Sequence, residues 1–247
     1  MALRSEATDR QTLDFARRLW YIEKNPGKAP RRDGGRAVGR SAQNGGRRVR
    51  LSGRCCPEGG VKAMQRESGR PKDAAGRSAR EMRVYDLLDG LKIGYERVDH
   101  DAVETMAACK EIDALLSPAA VCKNLLLCDG HGHGFYLLML RGDKQLDCKQ
   151  IAGQIGRPRL SFAPAQKLEE FLGLGVGAVS VLGLMNDRGG NVQLLVDADL
   201  LREEAIGCHP CVNTSSLRIG MKDLLEVFLP AVGHAYRTVT CSLGDRP

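Results

Sequence analysis

Two apolar runs separated by a glycine-rich turn constrain this chain more than any other feature. They span 121–128 and 135–140, and Asp129-Gly130-His131-Gly132-His133-Gly134 joins them. Apolar runs of this length, bounded by turn residues, predict a hairpin of two buried strands. One residue resists that environment. In Val121-Cys122-Lys123-Asn124-Leu125-Leu126-Leu127, six of the seven residues suit a buried strand or its flank, and Lys123 does not. A lysine there must turn its ammonium to water at a sheet edge or face a cleft that holds an anion. Burying it unpaired would cost on the order of several kcal/mol. Lys123 is therefore a candidate wall of an anion-binding pocket, with a solvated edge-strand lysine as the plain alternative.

Charge divides the chain near residue 80. Residues 1–80 hold 20 Lys and Arg against 8 Asp and Glu, and residues 81–247 hold 17 against 22. The net charge of +7 thus describes neither part. The first segment carries 11 of the 29 glycines and little apolar periodicity, so it cannot bury enough surface to offset its ordering entropy. It reads as a largely disordered basic extension with a short helix near 10–22, where Leu13, Ala16, Leu19 and Trp20 share a face. Such an arm could add non-specific affinity for RNA phosphates, but its lack of periodicity favours an extension without function, or translated upstream sequence ahead of a true start at Met64 or Met82. The second segment has the size of one domain. The nine cysteines are odd in number and scattered, and the first ten residues are charged. No apolar run approaches the ~20 residues of a membrane span. These features point to free thiols in a reducing cytoplasm and to no membrane association.

From residue 80 the pattern predicts a helix over 80–91, a strand at 95–98, and a helix through Leu116 that Thr105 could cap. After the hairpin come a helix over 148–156, a short extended piece at 160–163, and a helix over 165–172 ended by Gly173. A glycine-rich loop, 173–177, then feeds a strand reaching Val181. Strands follow at 192–196, 215–219 and 236–241, with a helix over 222–229. Helices and strands mix without a regular βαβ period, so the fold class is α+β with a mixed sheet.

The chain lacks a nucleophile elbow and a P-loop. Cys208-His209-Pro210-Cys211 could be a redox pair or half of a zinc site, with Cys128, His131 and His133 as the other half. Pro210, Asn213 and Thr214 make that segment a loop rather than the helix start a redox pair uses. Gly173 to Gly177 presents backbone N–H groups with little side-chain cover, which suits a carbonyl oxygen that becomes an oxyanion. A turn needing only positive φ is the alternative.

Four segments occur in one order: Lys123-Asn124-Leu125; Leu160-Ser161-Phe162-Ala163; Gly177-Ala178-Val179-Ser180-Val181 through Asp187; and Gly207-Cys208-His209-Pro210 through Asn213-Thr214-Ser215. Together they resemble the YbaK/prolyl-tRNA synthetase-associated editing domain, in particular the free-standing PrdX-type (ProXp-ala-like) prolyl-tRNA deacylases. The resemblance covers about 81–242. It implies a single YbaK-like domain with a barrel-like mixed sheet flanked by helices. It also implies hydrolysis of mischarged tRNA(Pro), alanyl-tRNA(Pro) in this branch, without cofactor or metal. The partners implied are the tRNA acceptor end and prolyl-tRNA synthetase, whose pocket cannot strongly reject a smaller amino acid. By resemblance Lys123 holds the phosphate of the terminal adenosine. Gly177, Ala178, Val179 and Ser180 contact the aminoacyl group through their backbone, and His209 lines the amino-acid pocket beside Asn213 and Asn124. The loop's usual proline is Val181 here, which bears on pocket rigidity and selectivity. The competing readings are a catalytically silent tRNA-binding module of the same fold, and a zinc or thiol protein using Cys208 and Cys211.

Overall fold

The computed structural model describes residues 64–102, 106–130 and 132–242, with backbone alone for 106–109. The helix expected near 10–22 lies outside them. The hairpin forms as its sequence implies. Strand β3 (Ala120–Asp129) pairs antiparallel with β4 (Phe135–Arg141), Cys122 opposite Arg141 and Cys128 opposite Phe135. The Asp129 carboxylate ties the turn by accepting from the N–H groups of His133 and Gly134 at 3.0 and 3.1 Å. Residues 135–140 of β4 are all buried. Phe135, Leu137 and Met139 enter the main core, and Tyr136, Leu138 and Leu140 enter a second cluster. Both faces are covered, so the strand shows no polar alternation.

The remaining elements are β1 (Arg66–Ser68), α1 (Ala79–Gly90), β2 (Tyr95–Asp99), α2 (Met106–Leu116), α3 (Cys148–Ile155), β5 (Leu160–Phe162), α4 (Ala165–Leu172), β6 (Val192–Asp197), β7 (Ala205–Cys208), β8 (Ser215–Gly220) and β9 (Tyr236–Val239). A helical segment, Met221–Asp223, Leu224–Phe228 and Leu229–Ala231, precedes β9. Local chemistry sets the boundaries. Ser78 Oγ accepts from Glu81 N at the start of α1, and Asp147 accepts from Lys149 N and Gln150 N at the start of α3. Left-handed Gly156 and Gly173 close α3 and α4.

The fold is α+β with a mixed sheet. Its order is β1-β2-β8-β7-β3-β4-β6-β9, with β5 branching from β3. The pairs β3/β7, β4/β6 and β6/β9 are parallel, and the others antiparallel. β3 is the hub. Its first two residues pair with β7, most of its length with β4, and its end with β5.

Three elements depart from the sequence expectation. Ordered structure starts before residue 80, because β1 pairs with β2 inside the segment assigned to the basic extension. Its Arg-Glu-Ser sequence has no apolar alternation, and charge holds it instead. Arg97 of β2, 2% exposed, pairs with Glu67 and Asp99 and donates to Gly69 O at 2.6 Å. Second, 205–208 forms β7. Third, the expected strand reaching Val181 is replaced by a 3₁₀ helix, Val181–Asn186, with Ser180 capping it.

That helix start accounts for the tolerance of valine at 181. Val181 is the first helical residue, where an N–H has no intrahelical acceptor. Ser180 before it is extended, with φ −145° and ψ 145°, as a residue preceding proline should be. Val181→Pro is expected to stabilise the protein by about 0.4–1 kcal/mol, chiefly by restricting the unfolded chain. Thermal melting checks this as a rise of a few degrees; a fall would show that the buried side chain at 181 matters more than the backbone.

Candidate active site

The site begins where two parallel strands part. β3 and β7 share two rungs, Ala120–Ile206 and Val121–Gly207, and β3 then turns to β4. Cys122 and Cys208 lie one residue past the last rung, and Lys123 and His209 lie two past it. Burial, then the nearby Cys208 thiol, pushes the Cys122 thiol well above its ordinary range. A crevice beyond the carboxyl ends of parallel strands is a general ligand-binding position in open sheets. Gly207 permits the close packing of β7 there, since an added Cβ would lie 3.3 Å from Leu116 Cδ1 and 3.6 Å from Val121 Cγ2.

Lys123 is half-buried, and its Nζ donates to Lys144 O at 3.0 Å. That carbonyl is well anchored. The Lys144 ammonium, 3% exposed, sits 2.8 Å from Asp197 Oδ2 and 2.6 Å from Asp199 Oδ2. Burial alone would lower the pKa of Lys144, but its bonds to Asp197 and Asp199 outweigh that and raise it. Strand alternation sends Asn124 to the opposite face from Lys123, alongside the core residues Leu126 and Cys128. Its Oδ1 is buried without a hydrogen-bond partner among the described residues.

His209 is half-buried, with Nδ1 2.9 Å from Ser215 O. Burial keeps its pKa below the ordinary histidine value; the Ser215 contact opposes this and the nearby His100 adds to it. An imidazole so placed is neutral at physiological pH. Asn213 is exposed in the β7–β8 turn.

The glycine loop offers donors. Ala178 N donates to Gly175 O, Leu182 N to Ser180 Oγ and Gly183 N to Ser180 O. The N–H groups of Gly177, Val179 and Ser180 donate to no acceptor among the described residues. Gly177 has φ +90°, a conformation an L side chain rarely adopts. The Ser180 hydroxyl is occupied as the helix cap, so only its backbone is available. Val179 and Val181 pack on the main core, so the loop is anchored on the face that Asn124 shares. No hydrogen bond among the described residues joins 177–180 to Lys123 or His209.

Burial pushes the thiols of Cys208 and Cys211 up to about 12. Both are protonated at neutral pH, whereas metal ligation and redox attack need the thiolate. No group of three or more potential metal-ligating side chains occurs among the described residues. His131, invoked for the zinc alternative, lies outside them.

Two residues at this site were not foreseen. His100 follows β2 and Ser216 lies in β8, and His100 Nε2 is 3.0 Å from Ser216 Oγ. The pair is separated by 116 positions, so no local pattern could have joined them.

A family model for the aminoacyl-tRNA editing domain matches residues 100–227. The chain belongs to the aminoacyl-tRNA editing domain family. The prolyl-tRNA editing protein ProX of Acetoanaerobium sticklandii is 33% identical over 156 residues, covering 63% of this chain and 94% of that protein. The prolyl-tRNA synthetase associated domain-containing protein 1 of Bos taurus is 30% identical over 151 residues, covering 60% of this chain and 86% of that one. The crystal structure of a proposed trans-editing enzyme for prolyl tRNA synthetase has a similar fold. Its TM-score is 0.52 at 21% identity, over 68% of this chain and 99% of that chain. The match places the parting strands, the glycine loop, His100 and Ser216 all within the editing domain. No helix among the described residues is long and apolar enough to cross a membrane.

Proposed function

We propose that this editing domain hydrolyses the ester of mischarged tRNA(Pro), alanyl-tRNA(Pro) foremost, acting in trans after prolyl-tRNA synthetase in the cytoplasm. The observation that supports this reading is the β3–β7 register, which sets Lys123 and His209 each two residues past the last shared rung, where the strands part. Lys123 meets a phosphate of the terminal adenosine, and His209 bounds the amino-acid pocket. The amides of Gly177, Val179 and Ser180 receive the ester carbonyl as it becomes an oxyanion, which requires the aminoacyl end to reach round the end of β3 to the face on which that loop packs. The ester is already activated, so no enzyme nucleophile is required. Water adds to the carbonyl carbon, the bond to the ribose oxygen breaks, and the proton passes to that oxygen. The products are alanine and free tRNA, and the neighbouring ribose hydroxyl positions the water.

Two other readings are less well supported. A silent tRNA-binding module requires Val181 to spoil the loop, yet the three amides have no acceptor among the described residues. A thiol-redox protein requires a thiolate at Cys208 or Cys211, which burial disfavours, and for zinc no group of three or more potential ligands gathers among the described residues. Incubation with labelled Ala-, Cys- and Pro-tRNA(Pro) tests the proposal. The ester half-life of Ala-tRNA(Pro) is expected to shorten while Pro-tRNA(Pro) is spared. Half-lives equal to those in buffer for all three would overturn it.

A further inference from the structure

Three polar side chains form a chain beside the crevice whose hydrogen positions follow from acceptor chemistry. His209 Nδ1 is 2.9 Å from the carbonyl oxygen of Ser215 and 3.4 Å from Ser216 Oγ. Ser216 Oγ is 3.0 Å from His100 Nε2, and His100 Nδ1 is 2.8 Å from Asp101 O. The imidazole rings stand 6.2 Å apart, tilted by 56°. Main-chain hydrogen bonding fixes the frame, since His100 N donates to Thr214 O at 3.0 Å and Ser216 pairs with Val98 in the β2–β8 ladder.

A carbonyl only accepts, so Nδ1 of both histidines must carry the hydrogen. In the neutral rings Nε2 is then a bare lone pair. His100 uses its lone pair to accept from the Ser216 hydroxyl. That leaves the Ser216 oxygen lone pairs turned toward the Nδ1–H of His209, which it shares with Ser215 O. His209 Nε2 has no hydrogen-bond partner among the described residues. Burial and the proximity of His100 both disfavour a second proton on His209.

We infer that the Ser215 carbonyl sets His209 as its Nδ1–H tautomer and that His100 and Ser216 are positioning residues that fix the orientation of the ring, so that Nε2 is presented as an acceptor for the α-ammonium of the bound aminoacyl group. The inference rests on the ester-hydrolase reading for its substrate, but the tautomer is a property of the free protein. It gives His209 a polar task in addition to bounding the pocket. A proton on Nε2 would instead point a donor at a cation.

Nitrogen-15 NMR of the imidazoles tests the first half without substrate. Wild-type His209 is expected to show a protonated Nδ1 and a bare Nε2. Ser216→Ala and His100→Ala are expected to keep that tautomer, which Ser215 O holds, but to shift the His209 ring-nitrogen resonances as the ring loses its second contact, and Ser216→Thr, which keeps the hydroxyl, to restore the wild-type spectrum. An unchanged His209 spectrum in both alanine variants would overturn the relay. Deacylation tests the second half. Loss of one neutral hydrogen bond predicts a fall of about 5- to 10-fold for Ser216→Ala at unchanged melting temperature. N-acetyl-alanyl-tRNA(Pro), which lacks the cation, is expected to react more slowly than alanyl-tRNA(Pro) with wild type, with the gap narrowing in Ser216→Ala. Equal wild-type rates on the two esters would overturn the ammonium partner. Hydrolysis of neither would instead remove the ester-hydrolase reading, leaving the tautomer assignment to the spectra.

Discussion

Lys123→Ala is expected to slow hydrolysis of alanyl-tRNA(Pro) roughly 10- to 150-fold, the rate equivalent of the 1.5–3 kcal/mol a hydrogen bond to a charged group supplies. The loss should fall on a protein of near wild-type stability. Lys123 is half-buried, and its contact to Lys144 O is made to a carbonyl that other groups hold in place. Truncation removes the cation and its bond to Lys144 O. Single-turnover deacylation and a thermal melt on the same preparation separate the two quantities. A variant that turns over normally would remove the nucleotide-phosphate role. A variant that melts far below wild type would make Lys123 a structural residue.

The largest effect on stability is expected one contact further in. Lys144→Met removes the ammonium but keeps the stem, and strands the Asp197 carboxylate, which is 0% exposed. Leaving one member of a buried pair uncompensated costs about 3–5 kcal/mol. In a domain of this size that lowers the melting temperature by roughly 10 °C. Asp197 also accepts from Cys241 N at 3.2 Å, so the strand end beyond β9 should loosen too. The double variant Lys144→Met, Asp197→Asn should recover part of the loss, because the stranded charge is gone. The pH dependence has a definite sign. The bonds to Asp197 and Asp199 raise the folded-state pKa of Lys144 against its burial. The stability it contributes is therefore full below the ordinary lysine value and is lost as pH rises through the folded value. A wild-type denaturation series should weaken at the alkaline end, and Lys144→Met should lack that component.

Legibility from sequence followed the source of each element's stability. β4 and α4 were readable because burial alone specifies them, through an unbroken apolar run and an amphipathic turn closed by Gly173. β1 was not, because its three residues are held by Arg97 acting across the ladder. β7 was not, because Ala205-Ile206-Gly207-Cys208 is short and its glycine serves the approach of Leu116 and Val121 rather than a turn. That miss mattered, since β7 leads directly into His209. Lys123 stands out in the sequence as a candidate because it is a charge out of place in an apolar run, and His209 is a candidate through resemblance alone. His100 and Ser216 left no local trace, because contact between β2 and β8 is made only on folding. Asn124 shows the limit of adjacency. It follows Lys123 directly, and for that reason strand alternation turns it to the other face.

The account depends on the lips of the β3–β7 crevice gripping an esterified nucleotide. The most direct measurement is titration of the nitrogen-15-labelled protein with an acceptor-stem minihelix of tRNA(Pro) carrying a non-hydrolysable 3′-alanylamide. Shifts confined to Lys123 Nζ, His209 Nε2 and the amides of Gly177, Val179 and Ser180 are the predicted result. Saturable binding that leaves the Lys123 and His209 resonances where they were would contradict it.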